Sequence, residues 1–418
     1  MNFLRALDSA KRPMQRLGFA KYMVSRCATT STSSLETLGR GLVDTVRRKV
    51  TVPLTPEIYT YARRRLTDRA YASLKQTLNR LGPDFVGHTV RLEIQDVYLA
   101  SSQLPSQTGK LVNEDWRKYP PLLLALGLVR PGTYSLMVAG LTLLRLTPPA
   151  EITAFRQYAP QTNPLLLDTK QRLFFLYFFL ERDGDVLQPL YRALLEQQDE
   201  TFSDREAGDL LPAIFRDLEK RYRGRARSGD EQQRLQRLLD VAASIERWRG
   251  KPYTGKGARE HTITPRLEPF VDLGLLDKPD PFAYRYTLSP AGRVLFTGFC
   301  EARDIAAFLE NDFFHAAADA FGFDATPADE SQVLSHFYAA YDELKSPLGY
   351  APIKETALLA GIRALVDDGL CFEIAETMEL LKRTQRELPY VIRFNIDRMG
   401  NLVYVKFMAD PGSESEEV

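Results

Sequence analysis

The chain has 418 residues, with 55 Lys/Arg against 54 Asp/Glu, a formal charge of +1 and 44% hydrophobic residues. That length exceeds what one core fills, so roughly two to four domains are expected. The near-zero net charge excludes a histone-like polycation but leaves room for a local basic patch.

Three cysteines (Cys27, Cys300, Cys371) and four histidines (His88, His261, His315, His336) show no zinc-ligand spacing. No metal and no cofactor is therefore expected, and the cysteines read as free thiols in a reducing cytoplasm. No stretch reaches the roughly 18 uninterrupted apolar residues that cross a bilayer, so no membrane partner is expected. Residues 1–34 carry Arg5, Lys11, Arg12, Arg16, Lys21 and Arg26 against Asp8, with a Ser/Thr run over 29–34. An organellar transit peptide has that composition. The competing reading docks a basic helix on the body through Leu4, Leu17 and Phe19, with a cytoplasmic, nucleoid-associated protein as the outcome.

In chain order, residues 57–81 space Tyr61, Leu66, Ala70, Leu74 and Leu78 helically and stop at Gly82-Pro83. Residues 90–94 alternate as a strand. Residues 169–197 read as two helices split at Asp183-Gly184. Residues 203–222 form a helix opened by Ser203 or Asp204, with Glu206 in its first turn. Residues 223–230 are a polar linker, and 231–248 a further helix. Residues 327–341 and 353–368 are helical, and 410–418 form an acidic tail expected to be disordered.

One unit occurs twice. Leu126-Gly127-Leu128 matches Leu273-Gly274-Leu275, Tyr134-Ser135-Leu136 matches Tyr286-Thr287-Leu288, and Ala139-Gly140 matches Ala291-Gly292. The order is a helix ended by a left-handed glycine, a hairpin, and a second helix opened at Ser289-Pro290. The second copy has the longer hairpin. In the first, Met137-Val138 replaces Ser-Pro.

The stretch Leu273-Gly274-Leu275-Leu276, Tyr286-Thr287-Leu288-Ser289, Ala291-Gly292-Arg293-Val294-Leu295 resembles the winged helix-turn-helix superfamily over roughly 40 residues. Residues 350–407 repeat the expected order of helix, helix and two-stranded wing. The resemblance implies a mainly α fold with small β wings, as tandem winged-helix modules joined by helical segments. The divisions expected are a basic N-terminal segment (1–55), a helical and winged-helix-like module (56–160) and a helical linker with a basic segment (161–250). A central winged-helix module (251–325), a C-terminal winged-helix-like module (326–409) and the tail (410–418) follow.

In that superfamily the helix before the first wing strand enters the major groove. Carried onto the central module, this implies DNA contacts from Thr262, Thr264 and Arg266, with Arg285 on the wing. Pro265 and Pro269 imply a helix that starts at Thr264 or is bent. Upstream, residues 216–259 hold 13 Lys/Arg against 6 Asp/Glu. Arg221, Arg223, Arg225, Arg227, Arg247, Arg249 and Lys251 would meet phosphates, and Trp248 and Tyr253 would stack on bases. The bland alternative is a solvated helix face and a loop.

No nucleotide-loop, nucleophile-elbow or zinc-protease motif occurs. His315 reads as a satisfied core histidine. Glu93, Asp96 and the Asp168-Thr169-Lys170 run are a faint nuclease-like set. The leading expectation is a non-enzymatic DNA-binding protein, duplex favoured over single strand, acting as a subunit of a larger DNA-processing or genome-defence assembly, with other protein subunits as partners. A homo-oligomer is compatible with this. The alternatives are a protein–protein scaffold and a cryptic metal-dependent nuclease.

Overall fold

Residues 4–7, 16–29, 34–65, 72–82, 85–101, 119–159, 161–197, 201–224, 229–247, 262–279, 284–397 and 402–408 are described in the computed structural model. The N-terminal part runs α1 (Gly18–Thr29), α2 (Leu35–Val46), β1 (Lys49–Pro53), α3 (Pro56–Arg65), α4 (Ala72–Leu81), β2 (Thr89–Glu93), α5 (Ile94–Ser101), α6 (Tyr119–Ala125), α7 (Val138–Arg145) and α8 (Pro149–Arg156). The middle holds α9 (Thr169–Leu195), β3 (Thr201–Ser203), α10 (Asp204–Tyr222), α11 (Gly229–Arg247), a 3-10 turn (Thr264–Arg266), α12 (Glu268–Asp272), β4 (Leu276–Asp277), β5 (Arg285–Leu288), α13 (Pro290–Glu301), α14 (Ile305–Asn311) and α15 (Phe313–Phe321). The C-terminal part runs β6 (Thr326–Pro327), α16 (Glu330–Leu344), β7 (Ala351–Pro352), α17 (Ile353–Arg363), β8 (Leu370–Cys371), α18 (Ile374–Glu387), β9 (Ile392–Ile396) and β10 (Leu402–Phe407). The chain is thus mainly helical with small sheets. Among the described residues no helix is long and apolar enough to cross a membrane.

The 27-residue helix α9 organises the core. Residues 173–180 are buried all round, as a helix apolar on every face must be. Asp168 and Gln171 form a capping box at its start. The expected split at Asp183-Gly184 does not occur, because the polar interruption is a docking site. The Asp183 and Asp185 carboxylates accept the backbone N–H groups of Leu7 (2.7 Å) and Arg5 (2.8 Å). Gly184 lets α14 approach, since a Cβ there would lie 2.9 Å from Ile305. Leu4, Leu17 and Phe19 are all buried, the packing expected of a docked N-terminal segment.

The repeated unit is present twice with matching hydrogen bonds. Leu128 N–H donates to Leu123 and Leu275 N–H to Phe270, closing the glycine turns at 2.8 and 2.9 Å. Gly127 and Gly274 hold φ of +70° and +77°, where a side chain is strained. Val129 bridges Leu136, and Leu276 pairs with Leu288, in the register the sequence match implies. At the following helix, a Cβ on Gly140 would lie 2.2 Å from the Leu128 carbonyl and one on Gly292 2.0 Å from that of Leu275. Ser289 caps α13 through Gly292 N–H, whereas Met137 offers α7 no side-chain cap.

A second correspondence was not visible in the sequence. The middle sheet has strand order β3-β5-β4 and the C-terminal sheet β7-β10-β9. In both, the first strand pairs antiparallel with the last, and helices fill the interval before the hairpin. Strands β1 and β2 instead pair with each other.

Candidate nucleic-acid interface

Two of the four residues expected to read DNA in the central unit are buried and a third is half-buried. Thr264 is 0% and Arg266 3% exposed, and Thr262 is half-buried. The prolines break this stretch into a 3-10 turn followed by the five-residue α12, all of it buried. Arg266 Nη2 donates to Asp183 Oδ1 and to the Leu7 carbonyl, both at 2.8 Å. Its Nε lies 2.7 Å from Asp183 Oδ2. Arg266 and Thr264 are therefore core residues, and α12 offers no face to a groove. Of the four central contacts expected, only Arg285, on β5, is exposed.

The basic approach is divided. Arg221 lies 3.0 Å from Asp217 and 3.6 Å from Asp185, and Arg223 lies 2.6 Å from Glu219. Arg216 pairs with Glu246 across the α10–α11 hairpin. Arg247, at the end of α11, is exposed. Arg225, Arg227, Trp248, Arg249, Lys251 and Tyr253 lie outside the described residues, as does the acidic tail. Arg216, Arg221 and Arg223 are thus each paired with an acid, Arg221 also with the buried Asp185 of α9.

The C-terminal unit presents cations that the sequence reading did not single out. Arg393 on β9 stands directly opposite Lys406 on β10. Like charges in that position repel. Arg393 is exposed and Lys406 half-buried, with its Nζ 5.4 Å from the Tyr350 ring centre. Tyr404 shares the outer surface. On α18, Arg386 Nε bonds the Lys382 carbonyl at 3.3 Å. None of Arg386, Arg393 and Lys406 forms an ion pair among the described residues, whereas Lys382 and Arg383 pair with Glu379 (2.5 Å) and Glu330 (2.6 Å). The sequence signal available was the alternation of residues 402–407, which puts Tyr404 and Lys406 on one face.

His315 is not a core residue: its side chain is 57% exposed. It lies at a cavity of about 580 Å³ shared with Cys371, Glu376, Glu379, Arg383 and Arg386. A His315 ring nitrogen, Cys371 Sγ and a Glu373 oxygen lie within 4.8 Å of one another, so these are the described residues able to hold a metal ion. Existing bonds account for the glutamate and the histidine. Glu373 accepts the Phe314 and His315 N–H groups at 3.1 and 2.9 Å, capping α15, and His315 Nδ1 lies 2.9 Å from the same carboxylate. Burial, reinforced by Glu373, pushes the Cys371 thiol up to about 12, so it is protonated at neutral pH. The nuclease-like set is not gathered into such a group among the described residues. Glu93 binds Arg47 and Gln95, Asp96 accepts from Tyr61, and Asp168 caps α9.

No family model, no curated protein and no solved structure matches this chain.

Proposed function

We propose that the chain is a non-enzymatic DNA-binding protein whose C-terminal winged-helix unit makes the contact, within a larger DNA-processing or genome-defence assembly. In this reading β7, α17, α18, β9 and β10 are the first strand, helix-turn-helix and wing. The uncompensated Arg393–Lys406 pair on that wing carries the proposal. Two cations held opposite each other, with no ion-pairing acid among the described residues, favour a phosphate backbone between them. Arg386 extends the same charge onto the helix that would face the groove. The central unit, its corresponding helix buried, holds the molecule together, with Arg285, Arg247 and the basic residues 225–253 as additional phosphate contacts. Duplex is favoured over single strand because the cations lie on a helix and a hairpin that follow a groove.

A protein scaffold is the second reading. The burial of α12 favours it, since one such unit already serves protein packing, and so do Tyr390 and Ile396, each about 60% exposed. Fluorescence anisotropy with labelled duplex and single-stranded DNA at two salt concentrations separates the readings. Duplex binding that weakens with salt is expected. Each of Arg386→Ala, Arg393→Ala and Lys406→Ala removes one phosphate-binding cation and should flatten the log–log slope by about 0.9. No binding by the wild type at low salt would leave the scaffold.

A further inference from the structure

A second basic site lies in the N-terminal part, independent of the DNA reading. We infer that the concavity between α1, α2 and α8 is a binding site for a phosphoryl group. It has a volume of about 390 Å³ and is lined by Tyr22, Arg26, Thr29, Asp44, Thr45, Arg48 and Arg156.

Three guanidinium groups meet one carboxylate there, a local excess of two positive charges. None of the three arginines forms an ion pair among the described residues. The neighbouring Arg47 shows the contrast, with its Nε 3.2 Å from Glu93 Oε1.

The arginines are also held in place. Arg48 donates to the Arg156 backbone carbonyl, fixing β1 against the end of α8. The Arg26 guanidinium lies against Gly41, where a Cβ would be 2.6 Å from Nη2, so the glycine in α2 makes room for it. Arg26 Nε is buried without a hydrogen-bond partner, a cost that persists unless something else compensates. The hydroxyls complete the lining: Tyr22 donates to Thr45 Oγ1 at 3.2 Å, and Thr45 to the Gly41 carbonyl at 2.8 Å.

Charge and geometry together select the ligand class. Planar guanidinium forks match the oxygens of a phosphoryl group two at a time. A dianion balances the excess charge, which a single carboxylate does not. The phosphoryl group can come from free phosphate or a nucleotide, or from a nucleic-acid backbone.

The test uses the full chain and the double variant Arg48→Gln/Arg156→Gln, whose altered side chains are both exposed and outside the core. Thermal unfolding is followed against inorganic phosphate and ATP, with chloride at matched ionic strength as control, and anisotropy against a short duplex. Saturable stabilisation of the wild type by phosphate or ATP is expected, with the apparent Kd raised at least about tenfold in the double variant. That result assigns the group to a free phosphate or nucleotide. Loss of duplex affinity in the double variant assigns it instead to a nucleic-acid backbone. If the two proteins respond alike to phosphate, ATP and duplex, the site is refuted. The wing variants Arg393→Ala and Lys406→Ala retain the phosphate response, so this failure and that of the DNA reading remain distinguishable.

Discussion

Replacing Arg266 by Met separates a core cation from a DNA contact. Arg266 is 3% exposed, and its acidic partner among the described residues is Asp183, itself 1% exposed. Removing one member of a buried pair leaves the other charge stranded, at a cost of about 3–5 kcal/mol. Asp183 keeps the Leu7 N–H at 2.7 Å, so the lower end, about 3 kcal/mol, applies. With a urea slope of roughly 3 kcal/mol/M or more for so long a chain, the midpoint falls by up to about 1 M. Desolvation already holds the Asp183 carboxyl above the usual carboxylate range while Arg266 opposes that rise. Without Arg266 it rises further. A carboxyl whose folded pKa exceeds its unfolded value gives stability at low pH that is lost as pH rises through the folded value. The deficit of Arg266→Met therefore shrinks on acidification. The double variant Asp183→Asn/Arg266→Met recovers most of the loss, because a neutral amide can still accept from Leu7. Urea unfolding followed by circular dichroism reads the stability, and anisotropy reads duplex affinity below the transition. An unchanged midpoint together with weaker, less salt-dependent DNA binding would refute the reasoning and put Arg266 at the phosphate backbone.

Gly140→Ala and Gly292→Ala force a helix away from a hairpin carbonyl by more than 1 Å, given approaches of 2.2 and 2.0 Å. Each is expected to cost about 1–3 kcal/mol or more by overpacking. Gly298→Ala, in the same helix α13 with nothing within 4 Å, is expected to stabilise by up to about 1 kcal/mol. Thermal unfolding of the three variants checks the contrast, and equal effects at Gly292 and Gly298 would remove the close-approach argument.

Local rules were legible where local chemistry decides. Ser203 and Glu206 form the capping box that opens α10, as their spacing indicates. The glycine turns and the hairpin register of the repeated unit follow from short matched runs, because a left-handed residue and a close backbone approach each demand glycine. The failures arise where a distant partner changes what a residue means. Asp183-Gly184 looks like a helix break until residues 4–7 supply hydrogen bonds to the carboxylates. Arg266 looks like a phosphate contact until Asp183, 83 positions away in sequence, takes its charge. His315 looks like a core histidine, yet Glu373 holds it at the mouth of a cavity. Charge and periodicity are sequence properties, whereas the partner that neutralises a charge belongs to the tertiary fold.

The two sheets of shared strand order show how such partners decide which unit can meet a ligand. In α12 both acids are consumed internally. Glu268 accepts from Lys278 (2.6 Å) and Tyr286 (2.7 Å), and Asp272 accepts from Arg16 and Leu17 (both 2.7 Å). A helix of five residues with all its polar groups so engaged has no free surface. The exposed charges of α18 are instead Glu376, Glu379, Arg383, Arg386 and Glu387. Glu376 and Glu379 lie toward the N-terminal end and Arg383 and Arg386 toward the C-terminal end, where Glu387 offsets part of their charge, so a phosphate backbone is opposed most at the first end. Glu379 is the acid that matters most there. Its bond from Lys382 holds its carboxyl below the usual range and so keeps it charged at neutral pH. Glu379→Gln removes that charge and frees Lys382, and duplex affinity should rise several-fold at low salt with a steeper salt dependence, read by anisotropy. Weaker or unchanged binding would mean that α18 does not face DNA. The wing cations would then have to act alone.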